Sequence, residues 1–254
     1  MISQNLQSIC SKLPSGVQLV AVSKFHPVER LLEAYNAGQR VFAESRPQEL
    51  SAKVPQMPSD VQWHFIGHLQ TNKLKLVLPY VTLVQSVDSL HLLEAINAWG
   101  TANNKVIDVL LELHLGAEET KQGFSEDEIL YLLGGAGTPS ETHGHPRPCK
   151  REGPAAEGCG RGLSEAKEVS EGVPAPLKGI RIRGLMGMAT NTDDMAVVEK
   201  DFERIEALYN RIKASGMEGF DQLSIGMSQD WPVAVKHGAT MVRIGTDIFG
   251  PREY

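Results

Sequence analysis

The sequence has few cysteines, no long apolar run and no excess of positive charge. Its three cysteines, Cys10, Cys149 and Cys159, form no C-x-x-C pair, so neither a disulfide framework nor a zinc site is predicted. No stretch approaches the ~20 consecutive apolar residues that a membrane-spanning helix needs. A formal net charge of -6 argues against a surface that binds nucleic acid. We therefore expect neither a membrane nor a nucleic acid as partner.

The first residues of the chain, MISQNLQSICSK, also lack the basic and then apolar layout of a signal peptide. We therefore expect a cytoplasmic protein. A length of 254 residues with 41% hydrophobic residues is enough for one large α/β domain or two small ones. We predict a single domain over residues 1–254.

Short β-branched runs alternate with longer helical patterns along most of the chain. The runs predicted as strands are Val17 to Ser23, Arg40 to Ala43, Gln62 to Ile66, Thr82 to Ser86, Ile107 to His114, Ile180 to Met186, Gln222 to Ile225 and Thr240 to Ile244. Eight such strands with helices between them predict an α/β fold of the (β/α)8 TIM barrel class. An open doubly wound sheet is the competing arrangement. It is disfavoured because the turn after the first strand, SKFHPVER, has no glycine-rich phosphate fingerprint.

One segment, residues 134–178, interrupts this alternation. It is rich in Gly, Pro, Glu and Lys and has almost no aliphatic residues, so it cannot bury enough surface to offset its ordering entropy. We predict a disordered insertion there. His143 and His145, together with the two cysteines of the segment, match no spacing typical of metal ligands, and a solvated loop is the better interpretation.

The first predicted strand belongs to a short apolar run, VQLVAVSK, that ends on Lys24. In a TIM barrel the active site lies at the carboxyl ends of the strands, so a lysine at that point would be half desolvated on a rigid element. Burial disfavours the ammonium form and makes the amine a better nucleophile toward an aldehyde. The alternative is a lysine whose charged end simply reaches solvent.

The last two predicted strands lead into turns that are rich in small and hydroxyl-bearing residues. The seventh is followed by the stretch from Ser224 to Ser228, and the eighth contains Arg243 and ends in Gly245 and Thr246. Loops after strands seven and eight are the usual phosphate site of a TIM barrel. The sequence therefore predicts a phosphorylated ligand, although the glycines alone would also fit simple tight turns.

Several stretches of the sequence together resemble one known family. They are AVSK, GHLQTNK, SVDS, ETKQGF, GLMGMAT, LSIGMSQD and VRIGTDIFG, and they span nearly the whole chain apart from residues 134–178. By these motifs the sequence is similar to the pyridoxal phosphate homeostasis proteins. Their fold is similar to that of the N-terminal domain of alanine racemase, the pyridoxal 5′-phosphate (PLP) fold type III.

The resemblance implies roles for individual residues. Lys24 would form the internal aldimine with PLP, and Arg243 would face the pyridine nitrogen. The phosphate would be held by Ser224, Gly245 and Thr246, with Ser228 as a further candidate. The family often has Gly-Glu-Asn after the second strand, whereas this chain has Ala43-Glu44-Ser45. The contact of that asparagine near the ring would therefore be replaced by the shorter hydroxyl of Ser45 or lost.

The function that the resemblance implies is binding of PLP for intracellular vitamin B6 homeostasis, without catalytic turnover. PLP-dependent client enzymes are candidate partners. A monomer is expected, since no second domain typical of racemases follows the eighth strand. A PLP-dependent racemase is the alternative, with His68 or Tyr80 as candidate second bases. A Schiff-base aldolase acting on a sugar phosphate would explain Lys24 and the phosphate site equally well.

Overall fold

The computed structural model describes residues 1–116, 122–134 and 177–251. Within these ranges, the strands are β1 Gln18–Val22, β2 Val41–Glu44, β3 Gln62–Phe65, β4 Val81–Val87, β5 Ile107–Leu113, β6 Ile180–Gly187, β7 Gln222–Ser224 and β8 Met241–Ile244. Each overlaps the run predicted for it. The predicted insertion at 134–178, with its histidines and cysteines, lies outside the described residues except at its ends.

The eight strands form one closed parallel barrel in sequence order. Closure is made between the first and last strands, where Val20 is the partner of Arg243 and Ala21 is the partner of Ile244. Parallel strands in a closed barrel present all their carboxyl ends at one rim, which we call the mouth. The (β/α)8 prediction is confirmed, and the open doubly wound sheet is wrong.

Helices surround the barrel, and some of them begin at capping side chains. The α-helices are α1 Ile2–Cys10, α2 Val28–Asn36, α3 Pro47–Lys53, α4 Leu90–Ala102, α5 Glu126–Leu132, α6 Met195–Ala214, α7 Trp231–Lys236 and α8 Thr246–Phe249. Ser89 caps α4, and Ser125 with Glu128 forms a complete capping box at α5. No helix in the described ranges is long and apolar enough to cross a membrane.

Buried apolar residues form two separate clusters. The larger cluster lies between the strands and the surrounding helices and includes Phe42, Phe65 and Phe202. The smaller cluster fills the barrel interior with Val20, Val41, Ala43, Leu83, Leu110, Met186 and Met241. Adjacent residues of a strand point to opposite faces, so Phe42 packs outward while its neighbours point inward. In this barrel class ligands bind at the carboxyl ends of the strands, so the mouth is the expected place for a ligand.

Candidate functional site

Lys24 lies at the mouth, two residues after the last residue of β1. It is half-buried, and the preceding Ser23 is fully buried. The backbone N–H of Ser23 donates to the carbonyl of Ala43 on β2, which continues the parallel ladder up to the lysine. The sequence prediction of a lysine on a rigid strand end is therefore confirmed in its position.

The turns after β7 and β8 are built on two closely packed glycines. Gly226 has a φ of +92°, and a Cβ there would lie 2.6 Å from the Cβ of Ala234. A Cβ on Gly245 would lie 3.1 Å from the carbonyl oxygen of Val22, so this glycine packs directly against the end of β1. A side chain at Gly226 would therefore clash with α7, and one at Gly245 would press on the end of β1.

These turns also carry backbone donors. Among the described residues, no acceptor pairs with the backbone N–H groups of Gly226, Ser228, Gly245 and Thr246. Ser228 is half-buried and Thr246 is exposed, so both hydroxyls can be reached from solvent. Several N–H groups and two hydroxyls at adjacent strand ends can bind an anion such as a phosphate.

Arg243 lies inside the barrel, with only 4% of its surface exposed. Its guanidinium donates from Nη1 to the carbonyl and hydroxyl oxygens of Ser224, both at 2.7 Å, and from Nη2 to the carbonyl oxygen of Gly187 at 2.8 Å. Burial lowers its pKa to about 10, while the carboxylates of Glu112 and Asp230 act in the opposite direction. The group therefore stays protonated at neutral pH and is a hydrogen-bond donor only.

The hydrogen bonds of Arg243 are the start of a chain of hydrogen bonds that crosses the barrel, and they fix which group donates at each step. Because Arg243 donates to the Ser224 hydroxyl, that hydroxyl donates onward to Oε1 of Gln85 at 2.7 Å. The Gln85 amide then donates to Nδ1 of His64 at 2.8 Å, which assigns His64 as the neutral Nε2–H tautomer. Burial lowers the His64 pKa to about 4, in agreement with this tautomer.

Ser224 is fully buried, and both hydrogen-bonding roles of its hydroxyl are filled inside the barrel. These contacts favour a role in holding Arg243. The predicted contact of Ser224 with phosphate stays a prediction. His64, which is 4% exposed, lies at the end of this chain in the barrel interior.

A second titratable group, Glu112 on β5, lies near Arg243 at the mouth. Its exposure is 8%. Burial is the main cause that raises its pKa to about 7; the Asp88 carboxylate adds to this, whereas Arg243 and His68 oppose it. Nδ1 of His68 lies 3.0 Å from Asp88 Oδ2 on the same rim.

The remaining candidates fall in different places. Ser45 follows β2 at the mouth and is half-buried; its backbone packs against Gly67, where a Cβ would lie 2.1 Å from the Ser45 carbonyl oxygen. Tyr80 directly precedes β4 and therefore lies at the amino ends of the strands, opposite Lys24. Its proposed role as a second base is wrong, because an entire barrel separates it from the mouth.

No group of His, Cys, Asp or Glu suited to a metal occurs in the described ranges.

The polar residues Glu112 and Gln85 were not predicted from the sequence. Each is a polar residue that directly follows an apolar pair, Leu110-Leu111 before Glu112 and Leu83-Val84 before Gln85. Side chains alternate along a strand, so such a residue points into the barrel whenever its apolar neighbours pack against the helices. That pattern was available as a signal.

Comparison with known proteins gives consistent results. The model of the family described as "Alanine racemase, N-terminal domain" matches residues 1–138 and 158–253. The pyridoxal phosphate homeostasis protein of Pasteurella multocida is 33% identical over 260 residues, which covers 100% of this chain and 95% of the relative. That of Haemophilus influenzae is 31% identical over 261 residues, covering 100% and 94%.

Solved structures agree with these relatives. PipY of Synechococcus elongatus, determined with PLP bound, is 30% identical, with a TM-score of 0.77 over 98% of this chain and 100% of PipY. The alanine racemase of E. faecalis is 17% identical, with a TM-score of 0.64 over 98% of this chain and 57% of the racemase. The racemase shares the barrel fold.

Proposed function

Because the chain belongs to the alanine racemase N-terminal domain family, and within it to the pyridoxal phosphate homeostasis proteins, we propose that it binds PLP at the barrel mouth for PLP homeostasis. The observation that carries the proposal is the placement of Lys24 beside the turns after β7 and β8. Gly245 packs against Val22, so the strand that bears the lysine and a candidate phosphate loop are in direct contact.

The described residues fit PLP by the kinds of group that they offer. The unpaired N–H groups of Gly226 and Gly245, with the hydroxyls of Ser228 and Thr246, are donors suited to a phosphate. Lys24 would attach the cofactor, and the half-buried Ser45 hydroxyl would contact it near the ring. PLP supplies an aldehyde that condenses with amines and a ring that withdraws electrons from the attached group.

Arg243 supports the further proposal that the protein does not turn over a substrate. As a donor that is charged at neutral pH, Arg243 would leave a facing pyridine nitrogen unprotonated, and an unprotonated ring is a weaker electron sink. His64, three hydrogen bonds further along the same chain, accepts through Nδ1, so the chain carries no proton from His64 to Arg243. Arginine alone does not exclude catalysis, so a racemase remains the second candidate, with His68 as its base.

The test is the absorbance spectrum of the purified protein incubated with PLP, followed by borohydride reduction and peptide mapping. We expect a visible band that disappears on reduction and a modified peptide that contains Lys24. Lys24→Ala should remove the reducible attachment completely while leaving thermal unfolding nearly unchanged, because a strand-end lysine contributes little to the core. Lys105→Ala, an exposed lysine at the amino end of β5, is the matched control and should behave like the parent.

Two results would overturn this proposal. A protein that stays colourless with PLP would favour the aldolase interpretation. Modification of a lysine other than Lys24 would show that PLP attaches elsewhere. Racemisation of amino acids by the parent, absent in Lys24→Ala, would show an enzyme instead of a carrier. Transfer of PLP to client enzymes, a monomeric state and a cytoplasmic location are further parts of the proposal, testable with apoenzyme reactivation, sedimentation and fractionation.

A further inference from the structure

The two peptide groups that flank Lys24 are held by one pair of side chains on α3. Nζ of Lys53 donates to the carbonyl oxygen of Ser23 at 2.8 Å, which belongs to the peptide bond before Lys24. Oε1 of Glu49 accepts from the backbone N–H of Phe25 at 2.7 Å, which belongs to the peptide bond after it. Lys53 and Glu49 are themselves joined by an ion pair of 2.7 Å.

The same lysine is bound to a second, deeper carboxylate. Lys53 Nζ lies 2.7 Å from Oε1 of Glu44, which also accepts from the Ser23 hydroxyl at 2.6 Å. The side chains of Lys53 and Glu44 are 7% and 0% exposed, whereas that of Glu49 is 20% exposed. Buried ion pairs contribute little net stability compared with apolar residues of similar size, so this cluster has a weak stability rationale. Its contacts instead point to the backbone around Lys24.

The residue after Lys24 also has an unusual backbone conformation. Phe25 has a φ of 68°, in the left-handed region that a bulky side chain avoids because of its Cβ. The Glu49 carboxylate holds its N–H, and the Arg46 guanidinium lies 4.4 Å from the centre of its ring. Strained conformations persist where surrounding contacts determine them and are concentrated at functional sites.

We infer that Glu49 and Lys53 are positioning residues that fix the backbone on both sides of Lys24 and so present its amine to an aldehyde at the mouth. This inference rests on the proposed function. Neither residue would touch the cofactor, since both act from the helix side of the barrel wall. The alternative is that Glu49 only balances the charges of Lys53 and Glu44 and has no effect on Lys24.

Two conservative substitutions of Glu49 separate geometry from charge. Glu49→Asp keeps the carboxylate but shortens the side chain by one methylene, which withdraws the acceptor from the Phe25 N–H. Glu49→Gln removes the charge but keeps an oxygen at the same reach. If Glu49 positions Lys24, Glu49→Asp should lose more affinity for PLP than Glu49→Gln. If Glu49 only balances charge, Glu49→Gln should lose more.

The measurement is the apparent Kd for PLP from the absorbance of the attached form at fixed pH, for the parent and both variants. We expect the Kd to rise about tenfold in Glu49→Asp, the scale of one lost hydrogen bond to a charged group, and to stay within about threefold in Glu49→Gln. Asp221→Ala, which removes an ion pair at the other end of the barrel, is the control and should leave the Kd unchanged.

A second readout does not need the cofactor. In the apoprotein, the rate at which an acylating reagent modifies Lys24 is compared by mass spectrometry with the rate at Lys105 in the same sample. We expect the ratio to change in Glu49→Asp and to match the parent in Glu49→Gln.

The inference is overturned if the two Glu49 variants lose affinity equally, if Gln loses more, or if neither differs from the parent. Failure of the proposed function looks different, because the parent itself would then not attach PLP at Lys24. In that case the acylation ratio still decides whether Glu49 positions the lysine.

Discussion

The two ends of the barrel hold their charged side chains in different ways. At the amino ends of the strands, Arg183 pairs with Asp108 at 3.0 Å and with Asp221 at 2.8 Å, and Arg181 pairs with Asp108 at 2.7 Å. These groups are partly open to water; the side chain of Asp221, for example, is 56% exposed. Their charges are satisfied by one another and by solvent, and no buried ligand is needed.

At the mouth the charged groups are buried and less completely paired. Arg243 and Glu112 have exposures of 4% and 8%, and Arg243 donates to hydroxyl and carbonyl oxygens instead of to a carboxylate. Behind the wall of β2, Oε2 of Glu44 is buried without a partner in the described part of the chain. Burial of incompletely paired charge is costly. Because such charges occur at the mouth, we interpret the mouth as the functional end of the barrel.

The largest effect that we predict comes from breaking the buried cluster behind β2. Burial raises the pKa of Glu44 to about 7, even though Lys53 and Ser23 both donate to it. Lys53→Met would leave this carboxyl without its cation, and we expect a loss of about 4 kcal/mol in the free energy of unfolding at pH 8. Urea denaturation measures it.

The loss should shrink at lower pH. Without Lys53, the folded-state pKa of Glu44 would lie further above its ordinary value of 4.5, so the folded variant binds a proton that the unfolded chain releases. The variant therefore loses stability as pH rises through that interval and regains it toward pH 5. Adding Glu44→Gln should recover much of the loss at pH 8. An equal loss in the single and double variants would contradict this account.

The next effect concerns Glu112, whose folded-state pKa of about 7 lies above its ordinary value of 4.5. The carboxyl favours folding fully below pH 4.5, and this contribution disappears as pH rises through 7. Glu112→Gln stays neutral, so it should be more stable than the parent by up to about 3 kcal/mol at pH 8 and nearly equal at pH 4.5. Urea denaturation at both pH values checks this, and a pH-independent difference would show that the carboxylate is well solvated.

The sequence predicted the barrel well because its strand signals are local. Each of the eight apolar runs overlaps an observed strand. Boundaries moved by one or two residues, as expected at frayed ends. Helix α3 was not predicted, because only seven residues follow Arg46 before the helix ends and no long periodic pattern marks it.

The site was predicted only where it follows a strand directly. Lys24, Gly245 and Thr246 could be placed from the strand ends alone. The contacts of Lys53 and Glu49 could not, since they depend on how a short helix packs against the β1 turn. The chain from Arg243 to His64 was also out of reach, because it joins four strands that are far apart in sequence.

The smallest effect that we predict is at the amino end of the barrel. Asp221→Ala removes two hydrogen bonds from Arg183, which keeps its bond to Asp108 and a carbonyl contact to Gly219. Exposed ion pairs contribute about 0.2–1 kcal/mol, so the loss in unfolding free energy should stay below about 1 kcal/mol and shrink further in high salt. A loss as large as that of Lys53→Met would mean that burial is not what distinguishes the two ends, and the argument from costly charge at the mouth would no longer hold.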